Sequence, residues 1–184
     1  KLDTGTLVLN GDNGYTGGTI LSGGTIVLGS DSALGTGSLT AADGTTLDSN
    51  QAVVLANDIG VTGTLSLPGS YDLTLNGVVS GTGGLTKNGT SVLTLNGANT
   101  FGGPLALNAG TLVLGNDTAL GLGALNAVDG TQLDSSAAIT VANTVNLAGE
   151  LTLLGSNDLT LNGQVNGAGS LVKQGSNTLV LNGA

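Results

Sequence analysis

The sequence lacks the residue types on which most enzyme active sites depend. Its 184 residues include no cysteine, histidine, methionine or tryptophan, and its three basic residues are Lys1, Lys87 and Lys173. Without cysteine there are no disulfides, thiol nucleophiles or thiolate metal ligands, and without histidine no Ser-His-Asp triad can form. The net charge of −9 argues against nucleic acid, whose phosphates are bound by cations, and against anionic membrane surfaces.

Aromatic and charged residues are also scarce, and this scarcity narrows the fold class. Aromatic residues make up 2% of the chain and charged residues 8%, while hydrophobic residues make up 39%. Disordered chains show the opposite balance. The 34 glycines do not follow the every-third-residue pattern of collagen, and no apolar run approaches the ~20 residues of a membrane-spanning helix. The chain begins at Lys1 without methionine, so we interpret it as an excerpt of a longer protein.

What the sequence does contain is repetition. When residues 1–98 are aligned with residues 87–184, without a gap, 52 of the 98 positions are identical. Units of equal length, which align without insertions, are expected when each unit stacks on the next. We therefore interpret residues 1–184 as one domain, with repeat units at about 1–86 and 87–172 and a partial third unit at 173–184.

A shorter rhythm lies inside each unit. Alternating segments begin at Thr6, Thr25, Thr45 and Thr64, 19 or 20 residues apart, and this period-2 pattern predicts strands with one buried face. The ungapped repetition favours a solenoid over a sandwich or barrel. We predict an all-β, three-strand parallel β-helix with about four coils of about 21.5 residues per unit. The chain would then hold eight to nine coils and be roughly 40 Å long.

The apolar positions of these strands are predicted to point inward as leucine ladders. They are Leu7, Leu9, Ile26, Leu28, Leu47, Leu65, Leu67, Leu93, Leu95, Leu112, Leu114, Leu133, Leu151, Leu153, Leu179 and Leu181. Each fully buried leucine contributes ~1.5–3 kcal/mol. The two end coils have no evident capping sequence, so unpaired edges are expected there.

Residues 83–112 carry a recognisable signature. It reads Gly83-Gly-Leu-Thr-Lys-Asn-Gly, then Leu93-Thr-Leu-Asn-Gly-Ala-Asn-Thr-Phe-Gly-Gly, then Ala109-Gly-Thr-Leu. This resembles the autotransporter-associated β-strand repeat of type V secreted proteins of Gram-negative bacteria. Lys87, Gly89, Leu93, Leu95, Gly97, Asn99, Phe101, Gly103, Gly110 and Leu112 fit the family pattern. Parts of two further copies lie at residues 1–24 and 169–183, whereas Ser91 and Pro104 depart from the pattern.

The resemblance implies a right-handed parallel β-helix in a secreted or surface-anchored passenger domain. It also implies export through an outer-membrane β-barrel elsewhere in the parent protein. The family repeat is associated with passenger folding and export, with adhesion located elsewhere on the passenger. The partners expected are neighbouring repeats of the same chain, other copies, or a host or bacterial surface ligand. No cofactor is expected.

Several polar residues are candidates for a functional role. Asp43 with Asp48, and Asp129 with Asp134, are the best carboxylate pairs for glycoside hydrolysis, although turn capping fits them better. A stray ion at Asp31 or Asp117 is a further candidate, without a tandem calcium motif to support it. The asparagines that precede glycine are expected to bond their own backbone in turns; they are Asn10, Asn76, Asn96, Asn162 and Asn182. The three lysines are expected to be solvated.

Three functions are compatible with the sequence. The first is a non-catalytic stalk that supports export and displays an adhesin. The second is a self-associating or adhesive module, and the third is a polysaccharide-active β-helix enzyme.

Overall fold

The computed structural model describes residues 1–183, in which 23 short strands follow one another without a helix. The strands are β1 Thr6–Leu9, β2 Thr19–Leu21, β3 Thr25–Leu28, β4 Leu39–Ala41, β5 Thr45–Ser49, β6 Val53–Leu55, β7 Ile59–Val61, β8 Thr64–Leu67, β9 Leu73–Leu75, β10 Val79–Ser80, β11 Gly84–Lys87, β12 Val92–Leu95, β13 Leu105–Leu107, β14 Thr111–Leu114, β15 Leu125–Ala127, β16 Thr131–Ser135, β17 Ile139–Val141, β18 Val145–Leu147, β19 Leu151–Leu153, β20 Leu159–Leu161, β21 Val165–Gly167, β22 Leu171–Lys173 and β23 Leu179–Leu181. Across this part of the chain no helix is long and apolar enough to cross a membrane.

The strands form because polar and apolar residues alternate. In β5, Thr45, Leu47 and Ser49 are buried, while Thr46 and Asp48 between them are partly exposed. This period-2 burial is what one packed face and one solvated face require. Each strand pairs in parallel with a strand of an adjacent coil, as Leu7 of β1 does with Ile26 of β3. The predicted all-β parallel β-helix is therefore confirmed.

The coils are three-sided. Face 1 is a nine-stranded sheet in the order β1-β3-β5-β8-β11-β13-β15-β18-β21, and face 2 is a seven-stranded sheet running from β6 to β22. Face 3 holds β2-β4-β7-β10 and then, further along, β17-β20-β23. Between these two sheets, residues 99–102 and 116–123 continue face 3 through backbone bonds such as Gly102 N–H to Gly81 O and Leu122 N–H to Phe101 O, both 2.9 Å. Nine strands on face 1 confirm the prediction of eight to nine coils.

One unit of 86 residues is slightly more than four coils, and the strand order shows how much more. From β1 the chain returns to face 1 at β3, β5, β8 and β11, which is four full turns. It then moves on to face 2, where β12 begins at Val92, 86 residues after Thr6. A unit is thus four and one third turns, and the coil averages about 20 residues, the spacing already visible in the sequence. Equivalent residues of successive units lie on different faces.

The leucine ladders fill the centre of the coil. Ile26, Leu47 and Leu65 are fully buried on face 1, and Leu93 and Leu112 are buried on face 2. Most of the predicted inward positions are confirmed in this way. The exceptions are in the outermost coils: Leu7 is 37% exposed and Leu181 52% exposed, and Leu9 and Leu179 are only partly buried. Within residues 1–183, no further coil covers them.

Glycine makes the tightest approach between coils possible. A Cβ on Gly83 would collide with the carbonyl oxygen of Gly63 in the coil before, and one on Gly103 would lie 2.8 Å from the carbonyl carbon of Gly83. The three glycines stack at one corner, and any side chain there would push the coils apart. Constant loop length and glycine at fixed offsets are two results of the same stacking constraint.

Candidate functional site

Carboxylates join each coil to the next. Nine aspartates accept a backbone N–H from a residue 20 to 23 positions later, at 2.6–3.1 Å. They are Asp31, Asp43, Asp48, Asp58, Asp72, Asp117, Asp129, Asp134 and Asp158. Five of these N–H groups lie in corners between strands, and the other four lie at the first or second residue of β6, β8, β12 or β17. The carboxylate supplies the acceptor that the backbone lacks.

The candidate catalytic pairs are part of this arrangement. Asp43 accepts the N–H of Thr64 at 2.6 Å, whereas Asp48 accepts both the N–H of Ser70 at 3.1 Å and its hydroxyl at 2.6 Å. The two carboxylates therefore serve different corners. Asp43 precedes β5 on face 1, while its counterpart Asp129 precedes β16 on face 2. The units thus do not bring the two pairs onto a common surface.

The ion candidates Asp31 and Asp117 have the same role. Asp31 accepts the N–H of Val54 at 2.7 Å, and Asp117 accepts that of Thr140 at 2.8 Å. Within residues 1–183 no three acidic side chains gather into a group that could hold a metal ion.

The expectation that all three lysines are solvated is wrong for Lys87. Its side chain points inward from β11 in register with Leu67 and Leu107, and it is 1% exposed. Its ammonium group reaches the adjacent corner and donates to the carbonyls of Gly89 at 2.5 Å and Ala109 at 3.3 Å. The alternation of β11 carried this signal, because Lys87 is two residues from the inward-facing Leu85.

The other two lysines make the same kind of contact in the outer coils. Lys1 Nζ donates to the carbonyls of Asp3 and Gly23. Lys173 is exposed, and its Nζ donates to the carbonyls of Gln174 and Gly175 at 3.2 and 3.1 Å. Each of the three equivalent lysines thus donates to backbone carbonyls at a corner of the coil. Burial lowers the pKa of the Lys87 ammonium, and the Asp72 carboxylate partly opposes this effect.

The asparagines before glycine bond across coils, not to their own backbone. Asn96 donates to the side-chain oxygen of Asn76 at 2.8 Å, and Asn182 does the same to Asn162 at 3.0 Å. Asn10 accepts from Asn50, two coils away, at 2.8 Å. The expected local turn bonds are replaced by amide–amide bonds between asparagines of different coils at the same corner. Only the coil register, which the sequence alone did not fix, could reveal these partners.

Asn99 is a second buried polar residue of the signature. It is 2% exposed. Its side-chain oxygen accepts the N–H of Val79 from the coil before, and its amide donates to the carbonyl of Ala119 in the coil after, both at 2.7 Å. Phe101, two residues on, is fully buried, and a Cβ on Gly121 would lie 2.9 Å from its ring. The Asn-x-aromatic pair thus fills the part of face 3 that has no strand.

The remaining signature positions are core or close-stacking sites. Leu93 and Leu95 are inward-facing and at most 1% exposed. Gly89 and Gly97 have no room for a Cβ because carbonyl oxygens of the preceding coil occupy that space. Gly110 has a φ of +73°, which L side chains rarely adopt. Gly103 lies in the glycine stack described above.

Two shallow grooves lie at equivalent positions of the two units. One, of about 230 Å³, lies between Asp31, Gly35 and Asn57. The other, of about 350 Å³, lies at the equivalent residues Asp117, Gly121 and Asn143. Asn57 and Asn143 each donate to two carbonyls of the neighbouring coil, so they serve the framework as well as the groove wall.

These features define a parallel β-solenoid repeat protein in which side-chain polar groups join coil to coil. Residues 1–28, 85–114 and 171–184 match the family model of the passenger-associated-transport repeat. The chain therefore carries copies of the repeat family of autotransporter passengers, and the resemblance seen in the sequence is confirmed. This repeat implies a secreted or surface location in Gram-negative bacteria. Searches of curated proteins and of solved structures give no match to the chain.

Proposed function

We propose that the segment is a non-catalytic stalk of an autotransporter passenger. It spaces a binding region such as an adhesin from the outer membrane and supports export of the passenger to the cell surface. Stacking coils rise ~4.8 Å each, so every unit would lengthen the stalk by about 21 Å. In the parent protein, the array would continue beyond the residues described.

One observation carries this proposal: the polar side chains that repeat with the unit are bonded to the neighbouring coil. The carboxylates of Asp43, Asp48, Asp129 and Asp134 each accept a backbone N–H of the next coil. A general acid or base needs a carboxylate that reaches substrate in a suitable protonation state. In both units these carboxylates are instead hydrogen-bonded to the backbone of the next coil, which is the role expected in a rigid structural repeat.

Deletion in the parent protein tests the proposal. Removing residues 87–172 takes out one whole unit and leaves equivalent residues at the junction, because Thr86 is followed by Lys173 in place of Lys87. We expect export and surface display to persist and the projection to shorten by about 21 Å, measured by electron microscopy of labelled cells. Loss of a specific ligand interaction, with export intact, would overturn the stalk assignment.

A matched deletion separates geometry from length. Removing residues 87–96, about half a coil, shifts the inward residues of the following strands out of register with those before. We expect this smaller deletion to be exported poorly and to be sensitive to added protease. If it is tolerated as well as the whole unit, stacking is not what export depends on.

A self-associating module is the second candidate, and in the isolated segment the two end coils are uncovered. Leu7 is 37% exposed at one end and Leu181 is 52% exposed at the other. Copies of the segment could stack head to tail on these surfaces, which is a heterologous, open-ended contact. Electron microscopy of the purified segment at high concentration distinguishes the candidates: fibres support self-association, and monodisperse rods exclude it.

A polysaccharide-active enzyme is the least supported candidate. Incubation of the segment with acidic and neutral polysaccharides, with release of reducing ends as the readout, tests it directly. We expect no turnover, and measurable turnover that is lost in Asp48→Asn would overturn the non-catalytic assignment.

A further inference from the structure

Two buried polar atoms in the described residues have no hydrogen-bond partner. They are Ser91 Oγ and Asn177 Oδ1. The two residues are 86 positions apart, so the same place in both units is unsatisfied. Buried polar atoms are rarely left without a partner, because this costs most of the desolvation free energy of the group. The recurrence of an unsatisfied atom at the same position of the unit points to a partner that is not part of the chain.

Each of these atoms faces a small internal cavity. Ser91 lines one of about 10 Å³ together with Asp48, Gly69 and Lys87. Asn177 lines another of about 10 Å³ together with Asp134 and Gly155. Asp48 and Asp134 are equivalent residues, as are Gly69 and Gly155. The cavity is therefore a feature of the repeat unit, formed once per unit and on a different face each time.

The space exists because a glycine stands at one wall. Gly69 has a φ of +69°. A Cβ at this position would lie 2.7 Å from Ser91 Oγ and 3.3 Å from Lys87 Nζ. A Cβ on Gly155 would likewise fall against Asn177 Oδ1. The point left free by each glycine is thus within hydrogen-bonding reach of the unsatisfied atom.

We propose that each repeat unit binds one internal water molecule in this cavity. A volume of about 10 Å³ is close to that of one probe sphere, the least that holds a water. In the first cavity, the Lys87 ammonium has three N–H donors and two carbonyl partners. Its third N–H donates to the water, which bonds Ser91 Oγ in turn. In the second cavity, the water donates to Asn177 Oδ1.

Water fits this site better than a cation or an empty space. The Lys87 ammonium in the first cavity repels a second positive charge at this distance. Empty cavities in proteins are apolar, whereas buried waters bond otherwise unsatisfied polar groups. The water joins the lysine of one coil to the corner that follows the same strand, and so completes the carbonyl-binding turn.

A crystal structure of the chain at high resolution tests the proposal directly. We expect a single water within 3.2 Å of Ser91 Oγ, and another within the same distance of Asn177 Oδ1, with low temperature factors. Absence of density in both cavities would overturn it. Density with the coordination number and bond lengths of a metal ion would overturn it equally.

The Tm of Ser91→Ala gives an independent test, because a hydrated cavity and a dry cavity predict different changes in Tm. If the water is present, the variant removes one of its partners and the Tm falls. If the cavity is dry, the variant removes an unsatisfied hydroxyl and the Tm stays the same or rises, which would overturn the proposal. Ser38→Ala, at an exposed serine, is the matched control and is expected to leave the Tm unchanged.

Discussion

Asp48 holds Ser70, 22 residues further along the chain, by two hydrogen bonds, from the backbone N–H at 3.1 Å and from the hydroxyl at 2.6 Å. The same relationship recurs between Asp134 and Ser156, at 3.0 and 2.5 Å. A carboxylate that binds the next coil in this way fixes the path of the corner between β8 and β9. Repetition of the pair in the second unit, on another face, shows that the contact belongs to the repeat.

Removal of this carboxylate should weaken the stack. We expect Asp48→Ala to lower the free energy of unfolding by about 1–2 kcal/mol, since two donors lose their acceptor. Asp48→Asn keeps one acceptor oxygen and should lose about half as much. Chemical denaturation followed by circular dichroism measures both. Glu150→Gln, at an exposed acid whose side chain makes no such bond, is the control, and an equal loss there would attribute the effect to charge alone.

Lys87 should be more important to stability than its counterpart Lys173. Lys87→Met keeps the length of the side chain but leaves the carbonyls of Gly89 and Ala109 without their donor, and we expect a loss of about 1–3 kcal/mol. Lys173 is exposed, and its carbonyl partners can bond water, so Lys173→Met should change stability by less than about 0.5 kcal/mol. Thermal and denaturant unfolding of both variants provide the comparison. Equal effects would contradict the burial of Lys87.

The stability contributed by Lys87 should depend on pH. Burial lowers the pKa of its ammonium below the ordinary 10.5, so the unfolded chain keeps this proton to a higher pH than the folded chain. The free energy of unfolding therefore rises with pH through the interval that ends near 10.5. We expect the free energy of unfolding of the wild type, minus that of Lys87→Met, to increase across this interval. Contributions from all other groups are common to both proteins and cancel in this difference, and a constant difference would contradict the prediction.

The glycine stack should tolerate no side chain. In Gly83→Ala the new methyl group meets the backbone of Gly63, and we expect a loss of about 2 kcal/mol or more because the coils must separate. Gly14 has open space around it and no positive φ. Gly14→Ala should therefore be neutral or slightly stabilising, by up to about 1 kcal/mol. A similar loss in both variants would show that chain flexibility, and not close stacking, is the reason for glycine.

The leucine ladder gives the largest expected effect. Leu133 is fully buried between Leu112 and Leu153 of the adjacent coils, and Leu133→Ala should cost about 2–5 kcal/mol. Leu122 is 76% exposed, so Leu122→Ala should change stability by less than about 0.5 kcal/mol. Differential scanning calorimetry of the two variants tests the pair. A small effect at Leu133 would mean that the ladder repacks freely around a missing side chain.

The fold could be predicted from the sequence because it depends on short-range regularities. Alternating strands that begin at Thr6, Thr25, Thr45 and Thr64 proved to be β1, β3, β5 and β8, stacked on one face. Their 19- or 20-residue spacing was the coil length itself. Dividing 86 residues by four gave a slightly longer coil, because the extra third of a turn is not visible without knowing which face each strand occupies.

The side-chain contacts were harder to predict for a physical reason. Bonds such as Asn96 to Asn76 join residues that are distant in sequence, and a shift of register by one residue changes every partner. The charge of Lys87 also led to a wrong prediction of its exposure. Lys87 was interpreted as solvated because lysine usually is, although its place in the alternation of β11 put it inside. The turn role preferred for the aspartates is closer to the structure, in which they accept backbone N–H groups of the next coil.

The extra third of a turn determines which face of the solenoid carries each residue in successive units. Asp31 lies on face 2 and its equivalent Asp117 on face 3, so a third unit would show that residue on face 1. Only after three units, or thirteen coils and roughly 60 Å, does the same residue point the same way again. If a unit that carries a substitution is duplicated, the copies of that substitution therefore lie on different faces of the rod. They do not line up along one side. A partner that binds one unit would meet its next identical contact around the circumference, not directly above.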